Sequence, residues 1–296
     1  MTLSSCSWYL AWIGLEINML GFIPYIISNF SSKSSVIKYF IVQARRSLVL
    51  IFFFMFLTLL RGFHIIFFSL FLTIAMLYKL GAAPVHVWFV DLSYEVNLSV
   101  LIWLLSWQKL SVLYIIYLFY DLYIYILIFG VIRLIFGSVG MVYSNMLFTL
   151  LVYSSISHIG WLLSLLWVNM ILYVSYLRFY LLTIVLLLIF ILKENYLFNV
   201  NLWLVKNKGL SSLFLLVLIG LPPTSGFIIK LMALWFLIYS GVLVFLFLFR
   251  SLISLWAYVK LCYRMGTFIY QYSLSNTESC IVISIQWSSL LWMIYC

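Results

Sequence analysis

The chain has 296 residues, of which 67% are hydrophobic and only 7% charged. A soluble domain carries roughly 25% charged residues, so that class is excluded. The net charge of +10 is scattered, with several basic residues in loops between apolar runs. That pattern excludes a nucleic-acid footprint and fits the charge signals of membrane topology.

Apolar runs of about 20 residues, long enough to cross a bilayer, recur along almost the whole chain. The first is Trp8–Ile27, whose middle reads Trp12-Ile-Gly-Leu-Glu-Ile-Asn18 and places Glu16 near mid-membrane. A polar turn with Lys33 leads to Val36–Leu60, which carries Lys38 and, deeper, Arg45-Arg46. An Arg61-Gly62 turn precedes a third span from His64 to Leu80, broken at Gly81–Pro84 and continuing to about Asp91. Proline lacks the N–H and clashes with the preceding turn, so the helix must kink or stop there. The loop Leu92–Leu98 holds Glu95, and Ser99–Phe119 carries Gln108-Lys109 near its centre. Asp121 marks the next turn, and Leu122–Gly137 ends in a Gly/Ser stretch. Asn145–Val168 contains Tyr153-Ser-Ser-Ile-Ser-His-Ile-Gly-Trp161, and Met170–Leu192 follows. After the polar loop Lys193–Gly209 comes Leu210–Ser240, broken by Pro222-Pro223 and Gly226, with Lys230 just beyond the break. Gly241–Cys262 and, after a polar segment, Cys280–Tyr295 complete an all-α bundle of about ten spans, two of them broken.

The N-terminus lacks a basic n-region and a small-residue cleavage site, so no secretory signal peptide is expected. The four cysteines (Cys6, Cys262, Cys280, Cys296) show no paired or metal-like spacing and read as packing residues or free thiols. No Gly-rich nucleotide loop, Cys/His cluster or catalytic triad is present. Any chemistry falls to isolated ionisable groups. Loops with Lys33, Lys38, Lys193, Lys206, Lys208 and Arg264 fall on one side, which the positive-inside bias assigns to the matrix or cytoplasmic face.

A charged side chain at the bilayer centre costs about 2.5–3.5 kcal/mol or more, so intramembrane ionisable residues are functional candidates. Glu16, Lys79, Lys109 and Lys230 form that set. Burial disfavours their charged forms and a nearby opposite charge favours them. A lysine balanced between the two effects can take up and release a proton. Glu16 and Lys79, at comparable depth on separate spans, are expected to approach each other. The competing reading for each is a structural ion pair or a snorkelling side chain. Interrupted spans in the two halves of a transporter mark a pathway at the midplane, because the freed backbone groups need polar partners. His158, on a face with Ser154, Ser155 and Ser157, is either a proton relay or a hydrogen-bonded core histidine. His86, two residues after Pro84, is expected to line the hydrated break. Of Arg45 and Arg46, one is placed to pair with Glu16.

Several motifs, in one order over most of the chain to about Tyr263, carry a resemblance. They are Trp12-Ile-Gly-Leu-Glu-Ile-Asn-Met-Leu-Gly-Phe-Ile-Pro24, Lys38-Tyr-Phe-Ile-Val-Gln-Ala44, Lys79-Leu-Gly-Ala-Ala-Pro-Val-His-Val-Trp88, Trp107-Gln-Lys109, Tyr153–Trp161 and Gly220-Leu-Pro-Pro-Thr-Ser-Gly-Phe-Ile-Ile-Lys230. Together they resemble the NADH-ubiquinone oxidoreductase chain 2 family, antiporter-like membrane subunits of animal mitochondrial complex I. The resemblance implies an inverted-repeat architecture lacking its first helices, within one transmembrane domain over 1–296. That domain divides into half-channel bundles at 8–119 and 122–262 and a terminal helix at 280–296.

The resemblance also implies a proton-translocating subunit that couples NADH oxidation by ubiquinone to pumping. Glu16 and Lys79 would form the charge pair of one half-channel, Lys109 the central axis and Lys230 the other half. His158, with His86 as a possible further relay, would join them. It implies no cofactor or metal on this chain, since NADH, FMN, iron–sulfur clusters and ubiquinone belong to other subunits. Expected partners are other membrane-arm subunits and phospholipids in a hetero-oligomer of the mitochondrial inner membrane. Departures from the family's pattern are Val90-Asp91 after the His-x-Trp motif, Phe148-Thr149 before Tyr-Ser-Ser, and the unexpected Arg45, Arg46 and Arg250. The alternatives are a subunit of a cation/proton antiporter and a scaffold subunit that pumps nothing, whose central lysines would be paired and dry.

Overall fold

The computed structural model describes residues 8–29, 32–59, 73–81, 83, 86–118, 123–144, 146–193, 208–222, 224–238 and 241–264, and the regular structure among them is helical. In chain order the helices are α1 (Trp8–Ser28), α2 (Lys33–Leu59), α3 (residues 73–79), α4 (Val87–Glu95), α5 (Leu98–Leu105) and α6 (Trp107–Leu118). They continue with α7 (Tyr123–Tyr143), α8 (Leu147–Val168), α9 (Met170–Lys193), α10 (Lys208–Ile219), α11 (Ser225–Leu237) and α12 (Gly241–Arg264). The Arg61-Gly62 turn, His64, Pro84, Asp121, the loop residues 194–207 and the expected span Cys280–Tyr295 lie outside the described residues.

Six stretches among the described residues are long and apolar enough to cross a bilayer: Tyr9–Ser28, Leu98–Tyr117, Ile126–Tyr143, Leu147–Val168, Met170–Leu192 and Leu243–Lys260. Six of the about ten expected spans are met among the described residues, and the third falls in part and the last wholly outside them. Arg45 and Arg46 divide the apolar run of α2. The span after Leu210 is two short helices, α10 and α11, of 12 and 13 residues. The fifth span does not stop at Gly137 as its Gly/Ser composition suggested; α7 runs on to Tyr143. A Cβ at Gly137 would lie 2.7 Å from the Ser157 Cβ on α8, and one at Gly160 would lie 2.8 Å from the Gly130 carbonyl oxygen. The glycines of α7 therefore serve close helix–helix approach, as small residues do in membranes, rather than helix termination.

Helix ends follow local side-chain chemistry. Asn29 Nδ2 and Ser28 Oγ both donate to the Tyr25 carbonyl, at 2.7 and 3.0 Å, closing the last turn of α1. Asn169 Oδ1 accepts the Ile171 N–H at 2.9 Å, an N-cap for α9.

The chain divides into two compact units. The first takes residues up to Gly137 together with Leu151–Trp167, and the second takes Ser138–Leu150 with the chain from Val168 onward. In the first unit α1 packs on α2 and α6, α2 on α4, and α5 on α6. In the second, α10 packs against α9, α11 and α12. α8 is the most enclosed of the six spans, with 83% of its apolar window buried, so its serines and histidine face protein rather than lipid.

A polar belt closes one end of the first unit. Lys38 forms an ion pair with Glu95, while Ser32 Oγ and Ser34 Oγ donate to the other carboxylate oxygen at 3.0 and 2.6 Å. Asn97 donates to the Asn29 carbonyl, and Ser99 Oγ donates to Asn29 Oδ1 at 3.1 Å. The α1–α2 turn is thereby tied to the α4–α5 turn. The Lys38 hydrogen bond, followed by that from Ser34, holds the Glu95 carboxyl below its ordinary value.

Candidate functional site

Six basic side chains are buried among the described residues: Arg46, Lys79, Lys109, Arg133, Lys230 and Arg250. Among the described residues the acidic group that meets one of them inside a span is Glu16, beside Lys79. The site is built around this imbalance.

Lys79 is the last residue of α3. Beyond it the Leu80 N–H bonds the Met76 carbonyl and the Gly81 N–H bonds the Tyr78 carbonyl, each at 3.1 Å, and the helix closes in a turn. Gly81 has φ +67°, and a Cβ there would meet Phe89 and Trp88 at 3.0 Å, so glycine is required both for the backbone and for the space. The turn leaves the Lys79 amine 3.6 Å from Glu16 Oε1 on α1, with side-chain exposures of 6% and 19%. Arg46 of α2 does not join Glu16. Its guanidinium lies 4.0 Å from the Trp88 ring centroid and 6.0 Å from that of Tyr78. Such cation–π contacts contribute about 0.5–2 kcal/mol. Arg45, its sequence neighbour, is exposed.

Lys109 sits on α6, buried, with its amine 5.0 Å from the Phe89 ring centroid. The span that holds it was expected to be continuous, but it is interrupted at Ser106, between α5 and α6. Ser106 Oγ donates to the Ile102 carbonyl at 2.6 Å, a back-bond that competes with the helix ladder. The interruption falls three residues before the lysine, and no proline or glycine announces it.

Lys79 and Lys109 line one cavity of about 20 Å³ in the first unit, together with Asn18, Tyr39, Gln43 and Gln108. That volume holds about one water. Asn18 Nδ2 donates to Gln108 Oε1 at 2.9 Å, and Tyr39 OH donates to the same oxygen at 3.5 Å. The two lysines thus share a small polar chamber bounded by α1, α2 and α6.

The histidines stand apart from it. His86, just before α4, packs against the rings of Phe136 and Tyr153 at centroid distances of 5.9 and 5.8 Å and is not among the cavity's lining residues. His158 is buried on α8. The hydroxyls of Ser154, Ser155 and Ser157 donate to the carbonyls of Leu151, Val152 and Ser154 at 2.8, 2.6 and 2.5 Å.

In the second unit, Lys230 reaches back across the α10–α11 break. Its amine donates to the Leu218 carbonyl at 3.0 Å and to the Ile219 carbonyl, at the C-terminal end of α10 where the helix leaves carbonyls without partners. Gly220 has φ +75° and its N–H bonds the Leu216 and Val217 carbonyls, both at 3.1 Å. A Cβ on Gly226 would lie 2.0 Å from the Val217 oxygen, so this glycine permits the close return of α11 on α10. The ion pairs among the described residues are Lys38–Glu95 and Glu16–Lys79, and neither involves Lys230.

Sequence reasoning passed over Arg133, in the middle of an apolar α7, which is fully buried. The signal was a lone basic residue within Val131-Ile-Arg-Leu-Ile135. Among the described residues no three His, Cys, Asp or Glu side chains gather as metal ligands. Among the described residues the arrangement offers buried amines, one carboxylate and a water-sized chamber.

Residues 5–254 match the family described as NADH:quinone oxidoreductase/Mrp antiporter, transmembrane. NADH-ubiquinone oxidoreductase chain 2 of Anopheles gambiae is 33% identical over 287 residues, covering 92% of this chain and 83% of the relative. Chain 2 of Aedes aegypti is 32% identical over 313 residues, covering 98% and 91%. The chain belongs to the chain 2 family. The fold agrees. A chain of respiratory complex I from Thermus thermophilus superposes with a TM-score of 0.76 at 20% identity, covering 91% of this chain and 68% of that one. A chain of the Mrp complex from Dietzia gives 0.75 at 15% identity, covering 90% and 57%. The chain 2 fold is therefore that of an all-helical, multi-pass antiporter-like subunit.

Proposed function

We propose that this chain is a proton-translocating membrane-arm subunit of respiratory complex I, in which Glu16, Lys79, Lys109 and Lys230 carry protons. By homology it is a subunit of NADH:ubiquinone oxidoreductase. The observation that carries the reading is the shared chamber: Lys79 and Lys109 line one cavity, and Glu16 stands 3.6 Å from the Lys79 amine. A scaffold subunit has no need of two lysines on a hydratable chamber. The likeness to an Mrp chain supports the fold only, whereas the relatives at about a third identity bear on the complex.

In this reading the Glu16–Lys79 pair is a switch. Close together, each group stabilises the other's charge; drawn apart, Lys79 meets the desolvation penalty alone and releases its proton. The turn at Gly81 is the place where such a movement is taken up without rebuilding a helix. Gln108 and Asn18 hold the chamber's water between Lys79 and Lys109. Lys230, capping α10, serves the second half of an inverted-repeat pathway, and His158 connects the halves, with His86 as a further relay. The redox groups and ubiquinone sit on other subunits, which with phospholipid are this chain's partners in the mitochondrial inner membrane. The Lys33, Lys193, Lys206 and Lys208 loops face the matrix.

The test is Lys79→Met in the assembled complex, with proton pumping and quinone reduction measured side by side. Loss of coupled pumping with normal assembly supports the reading, and wild-type pumping overturns it.

A further inference from the structure

Arg133 is fully buried on α7, and its Nε, Nη1 and Nη2 have no hydrogen-bond partner among the described residues. A guanidinium taken out of water without acceptors carries a desolvation penalty, and its five N–H donors need acceptors around them. Its position explains how it is sealed. Gly130 and Gly137 lie three residues before and four after it, on one face of α7. Gly130 approaches Gly160 of α8 and Gly137 approaches Ser157, each at backbone contact distance. Arg133 therefore emerges between two close contacts at the α7–α8 seam, one residue along α8 from which lies His158. Lys109 of α6 is within range of its charge, and intervening water would screen the repulsion between the two like-signed groups. The same relation recurs at the other buried lysines, with Arg46 in range of Lys79 and Arg250 in range of Lys230.

We propose that Arg133 is a positioning residue of the proton path, which holds internal water between Lys109 and the serine- and histidine-bearing face of α8. The proposal rests on the reading of this chain as a proton translocator. It gives Arg133 a role that the family motifs do not contain. The guanidinium stays charged through the cycle, so it organises water without itself carrying the proton.

The experiment compares Arg133→Met, Arg133→Lys and Lys79→Met in the assembled complex. It reads protons pumped, quinone reduction and the KM for NADH, alongside a map of the wild-type complex with waters resolved. The expected result is about a tenfold or greater fall in coupled turnover for Arg133→Met. Substantial recovery is expected in Arg133→Lys, an unchanged KM in both, and ordered water on the guanidinium. Wild-type pumping by Arg133→Met, or a guanidinium without water in the wild-type map, overturns the proposal. If Arg133→Met fails to assemble, the map and Arg133→Lys still decide: a watered guanidinium with a pumping lysine variant supports the role, and a dry one removes it. If Lys79→Met pumps normally, the translocator reading itself falls. If Lys79→Met fails while Arg133→Met pumps, the role of Arg133 alone falls.

Discussion

The Lys230 ammonium donates to the Leu218 carbonyl at 3.0 Å, so a residue of α11 caps the helix that precedes it. A cation at a helix C-terminus also meets the negative end of the helix dipole. The bond fixes the break between α10 and α11, and it places the charge of Lys230 against backbone rather than against a carboxylate. The same lysine has this structural role and, in the proposed function, a second one that substitution can separate.

Lys230→Met removes the donor and leaves two buried carbonyls without it. A stability loss of about 1–3 kcal/mol is expected, from the unsatisfied acceptors alone. Thermal unfolding of the detergent-solubilised protein measures it, and Lys230→Arg, which keeps donors of greater reach, should recover part of the loss.

Gly226→Ala places a methyl group 2.0 Å from the Val217 carbonyl oxygen, where backbone must give way. The α10–α11 return is expected to open, with a loss of about 1–3 kcal/mol or more, as for overpacked cores. Gly241→Ala is the control, because nothing stands within 4 Å of a Cβ there. Equal unfolding temperatures for the two variants would remove the argument for close approach.

Glu16→Gln keeps the shape of the pair and removes its charge. In the proposed switch, pumping falls while assembly and the KM for NADH stay as in the wild type. The measurement is proton uptake per NADH oxidised in reconstituted vesicles, and an unchanged ratio would make Glu16 structural.

The Lys38–Glu95 contact gives a pH dependence of defined sign. The Glu95 carboxyl is held below its ordinary value by Lys38 and by Ser34, so its contribution to stability is present above the unfolded carboxylate value of about 4.3. It is lost as pH falls through the lower folded value. Unfolding temperature followed from neutral pH to acid should therefore decline in the wild type in that window, and Glu95→Gln should flatten the decline. The effect is small, because the Lys38 side chain is 49% exposed and water screens the pair.

Much of the bundle was legible in the residues because apolar length is a direct reading of bilayer thickness. The bounds of α1, α8 and α9 fall within a few residues of their apolar runs. The breaks at Gly81–Pro84 and at Pro222-Pro223 with Gly226 were legible for the same kind of reason: glycine together with proline in an apolar run has few other uses. The interruption at Ser106 was not, since a serine inside a helix is silent until its hydroxyl is seen on the Ile102 carbonyl. Gly137 misled because glycine marks both helix ends and close helix contacts, and only the facing Ser157 separates the two meanings. The approach of Glu16 to Lys79 was expected from equal depth. The orientation of Arg46 toward Trp88 depended on which face of α2 turned inward, and two adjacent arginines cannot reveal that.

The serines of α8 have a consequence for direction. Each of Ser154, Ser155 and Ser157 spends its hydrogen on a carbonyl one turn back, so what the helix shows its surroundings is oxygen lone pairs. Hydroxyls that only accept align the molecules beside them: their O–H bonds point toward the serines and their oxygens away from them. A water file along α8 would thus be polarised before any proton enters it. A proton hopping through such a file leaves every dipole reversed, and the next cannot follow until the molecules have turned back. In the proposed proton path the fixed hydroxyls would favour that return, a part for α8 beyond its packing.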